Sequence, residues 1–405
     1  PDALAAVVMR ALAYDPKDRY ASAEAMKQSL EAVGASQPVT VAVPASPPSP
    51  AADAPPGEGS VPPPPAAAPR SAPAAPTAFS DVDSVLPVWS FKVEDAVRST
   101  PLIHNGVLFV GAYDNNLWAL DAREGGLIWK FATEGGIGSS PVYGGGAVYI
   151  GSSDYRLYAV DVRTGKRRWA FKTEGKVFTT PYFELGLVFF GSDDGKVYAL
   201  KPGPSLAREV WSYNAMAPIR SSPVVDKESE RVFFGTESGD FLCLDLGGEM
   251  RWRFQTRRRV MSTPLVHEGV VYVGSNDWHV YALDIEQGYP VWRYRTGGQV
   301  VSSPAYYEGR VYFGSVDNHV YAIDALSGRE VWKFNVGSKV TSSPFVYKNS
   351  VYIGAVDGAL YCLHAETGDL LWRFQSDGPI LSSPRAADNM VYIGSDDHHI
   401  YALPA

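Results

Sequence analysis

Cysteine is nearly missing from this chain: two residues, Cys243 and Cys362, stand among 405. They fall in different copies of a repeat, so no disulfide between them is expected. Each reads as a small buried hydrophobe. Histidine is scarce as well, with seven residues, and His279, His319 and His399 occupy one turn column of separate repeats. Metal ligands must converge on one ion at about 2 Å, so these are expected to be solvated turn residues, and no metal site is expected. A strong charge imbalance is missing too: 36 basic and 44 acidic residues leave a net of −8, without general attraction to nucleic acid. Residues 34–87 contain nothing near the roughly 20 apolar residues of a membrane helix. The first residues lack the charged start and apolar core of a signal peptide.

What is present is repetition. Trp89, Trp129, Trp169, Trp211, Trp252, Trp292, Trp332 and Trp372 are spaced by 40, 40, 42, 41, 40, 40 and 40 residues, a period that marks a closed array of small sheets. In the copy from Val301 to Phe334, Ser-Ser-Pro opens a first strand and Gly314 ends the second. Asp317 and Asn318 turn into a third strand, Val320 to Ile323, and Val331 to Phe334 carry the tryptophan. Short β-branched and aromatic runs divided by Asp, Asn and Gly are strands and turns, and four antiparallel strands per copy make one propeller blade.

Each column has a reason. The small residues Ser99, Ser139, Thr179, Ser221, Ser262, Ser302, Ser342 and Ser382 suit strands crowded about an axis, and proline is tolerated where a strand edge faces the channel. Glycine recurs from Gly111 to Gly394 where side chains would collide. Asp follows three residues later in seven of eight copies, Ser238 excepted, and favours a tight turn. The last copy lacks its tryptophan strand, while the segment Val88 to Val93 has no blade before it. Both ends are satisfied if Trp89 supplies the outer strand of the final blade. The expected fold class is all-β, an eight-bladed propeller over 88–405 closed by its N-terminal strand.

The run from Gly191 to Leu200 and the Thr-Gly-x-x-x-Trp-x-Phe of Thr164 to Phe171 resemble the pyrroloquinoline-quinone-like propeller repeat, shared by quinoprotein dehydrogenases and an outer-membrane assembly lipoprotein. The resemblance implies that the eight repeating tryptophans dock between neighbouring blades. It also raises quinone-dependent oxidation, with a quinone over the channel, a calcium held by acidic and amide groups, a catalytic aspartate and, in many members, two adjacent cysteines. Here the cysteines are not adjacent and every copy is near minimal length, so neither pyrroloquinoline quinone nor calcium is expected.

Residues 1–33 differ in kind. Leu4, Val7, Val8, Ala11 and Leu12 recur at helical spacing up to Asp15-Pro16, and Ser22 caps a second helix with Met26, Leu30 and Val33 on one face. The string Ala11 to Met26 resembles the end of the large lobe of bacterial Ser/Thr protein kinases, where the arginine matching Arg19 pairs with a glutamate of the activation segment. The Gly-rich loop, ATP-binding lysine, catalytic-loop Asp and Asp-Phe-Gly motif are absent from this sequence, so ATP and magnesium would belong only to a kinase core outside it. The stretch is read as the remnant of a kinase domain. Residues 34–87 hold fifteen prolines and are expected to be a disordered, extended spacer. The resemblance implies a cytoplasmic protein, with no membrane insertion.

The helical piece carries four basic and five acidic residues and the spacer one and four, leaving 31 and 35, a net of −4, for 88–405. Before Ser-Ser-Pro, one column rings the expected channel mouth: Arg98, Gly138, Phe178, Arg220, Met261, Val301, Thr341 and Leu381, with Arg257, Arg258 and Arg259 in the adjoining loop. Arginine forks match carboxylates bidentately, so Arg98, Phe178, Arg220, Arg257, Arg258, Arg259 and Met261 are candidates for holding an acidic peptide, a protein or a small anion. The opposing reading leaves these arginines solvated or paired to Glu94, Glu134 or Glu174. The expectation is a monomeric, non-catalytic sensor or scaffold attached to a Ser/Thr kinase. A quinone dehydrogenase and an outer-membrane assembly scaffold stand as alternatives.

Overall fold

Runs of three to eight residues in extended conformation fill the chain from Trp89 to Pro404, 32 strands in all, in a computed structural model that describes residues 84–405. The helices expected over 1–33, Arg19 and the spacer up to residue 83 lie outside the described residues. The strands form eight four-stranded antiparallel sheets. In the sixth blade they are Ala305–Tyr307, Arg310–Gly314, His319–Asp324 and Glu330–Asn335. The inner strand starts only after the Ser-Ser-Pro, which itself forms the approach to the axis. The eighth blade takes Arg385–Ala387, Met390–Gly394 and His399–Pro404 from the end of the chain and Trp89–Lys92 from its beginning, with Trp89 opposite Ala402. The ring is thus closed by its first strand.

Contacts with the propeller begin before residue 88. Ser84 bridges Arg373 in parallel, and the Val85 amide donates to the Arg373 carbonyl at 3.2 Å. Ser84 and Val85, assigned to the linker, therefore lie on the seventh blade.

The apolar core is divided into wedges between adjacent blades. One wedge joins Tyr312, Trp332 and Val340 to Val351, Ile353 and Tyr361, and the closing wedge joins Val93 and Val97 to Tyr392 and Ile400. Each loop into an inner strand inserts a fully buried Val or Ile against the glycine of the preceding blade. A Cβ on Gly314 would stand 2.2 Å from Val340 Cγ1, and one on Gly394 2.2 Å from Val97 Cγ1. The glycine column exists because backbone and side chain occupy the same space there.

Tryptophan clamps the outer ends. Trp332 Nε1 donates to the Ala365 carbonyl of the next blade at 2.9 Å, and its ring lies on Gly368, whose φ is +77°. Trp89, Trp129, Trp211, Trp252 and Trp292 make the same bond to Ala122, Val162, Leu246, Ile285 and Ala325. Trp169 and Trp372 do not. They keep the packing on an aromatic of their own blade that the other six also make, Trp169 on Tyr149 and Trp372 on Tyr352 with ring centroids 5.7 and 5.8 Å apart, as Trp332 on Tyr312 at 5.8 Å. Cys243 and Cys362 are buried free thiols opposite Trp252 and Trp372. Burial pushes them up to about 12 and about 11, so they are held as neutral hydrophobes.

Candidate functional site

Both hydroxyl positions of the Ser-Ser-Pro column carry hydrogen bonds, a role beyond small size. The first is buried and fastens the inner approach to the second strand: Ser302 Oγ accepts from the Gly314 amide at 3.0 Å, and Ser99 Oγ from that of Gly111 at 2.9 Å. The second runs around the axis. The amides of Thr100, Thr180, Thr263, Ser303 and Ser343 donate at 2.9 to 3.0 Å to the hydroxyls of Ser140, Ser222, Ser303, Ser343 and Ser383 in the following blades. Ser382 Oγ donates to the Ser99 carbonyl at 3.1 Å, across the seam. Small hydroxyl residues at this crowded radius weld blade to blade.

The turn aspartates also act between blades. Asp317 accepts from the Tyr321 hydroxyl at 2.7 Å and from the Gly297 amide of the preceding loop at 2.6 Å. Asp154, Asp194, Asp277 and Asp397 repeat both contacts with Tyr158, Tyr198, Tyr281 and Tyr401 and with the Glu134, Glu174, Arg257 and Asp377 amides. Burial, with the aspartate bond second, raises the phenols, Tyr158 to about 12. In the fourth blade, Ser238 replaces the aspartate and donates to Asp240 at 2.8 Å. The turn histidines are not freely solvated: His279, His319 and His399 are half-buried, each Nδ1 about 3 Å from the carbonyl of the aspartate two residues earlier. They brace their own turns.

At the mouth, the structure brings several candidate residues together and gives the arginines partners other than Glu94, Glu134 or Glu174. Arg98 makes a bidentate bond to Asp396, at 3.0 and 2.9 Å, and lies over the Tyr113 ring at 5.3 Å. Arg220 holds Asp193 at 3.0 and 3.2 Å and lies over the Phe178 ring at 5.4 Å. Hydrogen bonding to those aspartates raises both guanidinium pKa values. A Cβ on Gly138 would stand 2.9 Å from the Tyr113 hydroxyl and 3.0 Å from the Phe178 ring, so glycine lets the two rings close over it. Glu237 links Arg220, at 4.0 Å, to Arg259, at 3.2 Å. Arg98 and Arg220 therefore have their forks filled from neighbouring blades. Arg257 and Arg258 are exposed and have no ion pair among the described residues. Met261, half-buried, flanks this loop.

Below the mouth lies a central cavity of about 850 Å³ lined by all eight blades. Its wall is the second hydroxyl of each Ser-Ser-Pro, most of the prolines, and the residue after each proline: Leu102, Val142, Tyr182, Val224, Leu265, Ala305, Phe345 and Arg385, with His104, Tyr143, Phe183, Tyr306 and Val346 completing it. Arg385 escaped the sequence reading, although it is the one charged residue in that column. Two exposed aromatics escaped it as well. The left-handed turn column holds Asn115, Gly195, Gly239, Asn318 and Gly358, but also Tyr155, Trp278 and His398 at φ of 69°, 74° and 70°. In both cases the signal was a departure from the repeat.

The family model described as outer membrane protein assembly factor BamB matches residues 81–169, 119–259, 206–316, 247–346 and 316–405. The chain belongs to that family. No curated protein matches it. Among solved structures, BamB from Moraxella catarrhalis is similar at 17% identity and a TM-score of 0.69, over 79% of this chain and 100% of that one. Sqt1 of Saccharomyces cerevisiae aligns at 13% identity and a TM-score of 0.71, over 80% and 100%. A quinohemoprotein alcohol dehydrogenase from Comamonas testosteroni aligns at 15% identity and a TM-score of 0.66, over 79% and 76%. These likenesses establish the fold, a BamB-like propeller.

A quinone with its calcium does not fit the residues of this propeller. Calcium takes six to eight oxygen ligands, yet no group of three or more His, Cys, Asp or Glu side chains converges among the described residues. Among the described residues no carboxylate lines the cavity, and Asp193 and Asp396 at the mouth are engaged by arginine. No helix among the described residues is long and apolar enough to cross a membrane.

Proposed function

We propose that this BamB-family propeller is a non-catalytic, protein-binding module of a cytoplasmic Ser/Thr protein kinase, and that its turn face holds an acidic partner near the kinase lobe. One observation carries the binding role: Trp278 is 40% exposed in a left-handed turn at φ 74°. A bulky residue in that region costs of order 1–3 kcal/mol, and a surface indole recovers little of it by packing. Asn or Gly fills the position without strain in five other blades. Tyr155 is 43% exposed under the same strain, and Met216, in a loop before the fourth blade, is 85% exposed. Exposed aromatic and methionine side chains with unpaired Arg257 and Arg258 have the composition of a recognition surface, and the free guanidinium groups favour carboxylates. The link to a kinase rests on the resemblance of Ala11 to Met26, and the proline-rich stretch would raise the local concentration of whatever the propeller holds.

The test uses the full chain immobilised against native lysate, beside a form carrying Trp278→Asn, Arg257→Ala and Arg258→Ala. A protein retained by the first and lost by the second supports the reading. Equal retention by both overturns this face as the site.

A further inference from the structure

We infer that the central cavity is a binding site for one small organic anion, a carboxylate or phosphate ester with an apolar body, held by Arg385.

The bore is electrostatically one-sided. Arg385 and His104 line the cavity, and among the described residues neither an aspartate nor a glutamate does. Among the described residues its guanidinium has no ion pair; its contact is the Phe345 ring, 5.0 Å from Cζ. Its side chain is exposed to the bore, and the protein gathered around that bore lowers its pKa by desolvation. The ring face gives the guanidinium a cation–π contact but no counter-charge. The hydroxyl ring has the same polarity. Ser140, Ser222, Ser303, Ser343 and Ser383 accept backbone amides through Oγ, and none of these hydroxyls donates to a protein acceptor. Their protons are left for whatever enters. A fixed cation and a circle of uncommitted donors, with no carboxylate to answer them, select a ligand that brings its own negative oxygens.

The remaining wall sets the rest of the ligand. Opposite and beside Arg385, the same column is apolar or aromatic in all seven other blades, and the prolines add no donors. The volume, about 850 Å³, lies in the range of small-molecule sites. Only one of eight equivalent positions is charged, so the stoichiometry is one ligand per chain. This site is separate from the outward turns proposed to hold a protein, and neither reading depends on the other.

Calorimetric titration of the full chain with phenyl phosphate, benzoate, inorganic phosphate and phenol tests it. One-to-one binding is expected for phenyl phosphate or benzoate, the stronger of the two identifying the acid group, with inorganic phosphate and phenol each weaker. Arg385→Gln should weaken that binding at least about tenfold, the loss of a charge-assisted pair, and Arg385→Lys should restore part of it. Should Arg385→Gln fail to fold, phenylglyoxal modification of the native protein serves instead: Arg385 should be modified in the free protein and protected by phenyl phosphate. Absence of binding by both aromatic acids, unchanged affinity in Arg385→Gln, inorganic phosphate binding as tightly as its phenyl ester, or modification indifferent to ligand would each overturn the inference.

Discussion

Replacing Trp332 by alanine removes the clamp between the sixth and seventh blades, and its consequence can be worked from the structure. The side chain is 8% exposed, bonded through Nε1 to the Ala365 carbonyl at 2.9 Å, and seated on Gly368. Truncating a buried tryptophan costs about 3–5 kcal/mol. Unfolding entropy near 2.1 cal/mol/K per residue gives roughly 0.7 kcal/mol per kelvin for residues 88–405, so Tm should fall by about 4–8 °C. Trp332→Phe separates the parts. The Ala365 carbonyl still accepts from the Tyr312 hydroxyl at 3.0 Å, so no acceptor is orphaned, and the lost indole bond should cost only about 1 kcal/mol, or about 1–2 °C. Trp372 is the internal control: it is half-buried, and among the described residues its Nε1 has no hydrogen bond and no glycine seat receives its ring. Trp372→Ala should lower Tm by visibly less than Trp332→Ala in scanning calorimetry. Equal shifts for the two alanine variants would refute the argument that the carbonyl and glycine seat, rather than mere ring size, make the clamp.

Removing residues 1–92 strips the outer strand from the eighth blade and exposes the edge of His399–Pro404; size-exclusion chromatography should show association, and a monomer of unchanged Tm would refute closure as a stabilising contact. The phenols define an alkaline limit. Folded Tyr158 and Tyr272 lie at about 12, against about 10 when unfolded. The stability they carry is complete below about pH 10 and lost as pH rises through the folded values. The share of phenolate absorbance due to these buried phenols should therefore appear only together with loss of near-ultraviolet dichroism, and ionisation of every tyrosine near pH 10 in a folded protein would contradict it. Trp278→Asn should raise stability by about 1 kcal/mol through relief of left-handed strain while weakening partner retention; lowered stability would show that the indole is packed rather than presented.

How much was legible follows from distance along the chain. Strand ends, blade number and the role of Gly314 follow from local pattern, because a Trp every 40 residues and a Gly-x-x-Asp turn are short-range facts. The inner strand was placed too early because Ser-Ser-Pro looks extended, yet its hydroxyls are engaged across blades and pairing begins at Ala305. The arginine column was found, but its partners were mistaken. Glu94, Glu134 and Glu174 are near in the pattern, whereas Asp396 reaches Arg98 only because the ring closes 298 residues later.

The sequence by itself determined an array of eight equivalent blades, since each blade's strands and turns are written within some forty residues. Only the tertiary structure decided what the equivalence does. Closing the ring gathers one residue from each blade around a common axis, so Arg385 stands among seven uncharged neighbours of its column and, among the described residues, no Asp, Glu or Lys joins it in the bore. Closure likewise brings the second hydroxyls, about forty residues apart in sequence, around the axis, where two runs of them are linked blade to blade. A periodic sequence states what each position is, but convergence on an axis is a property of the closed ring.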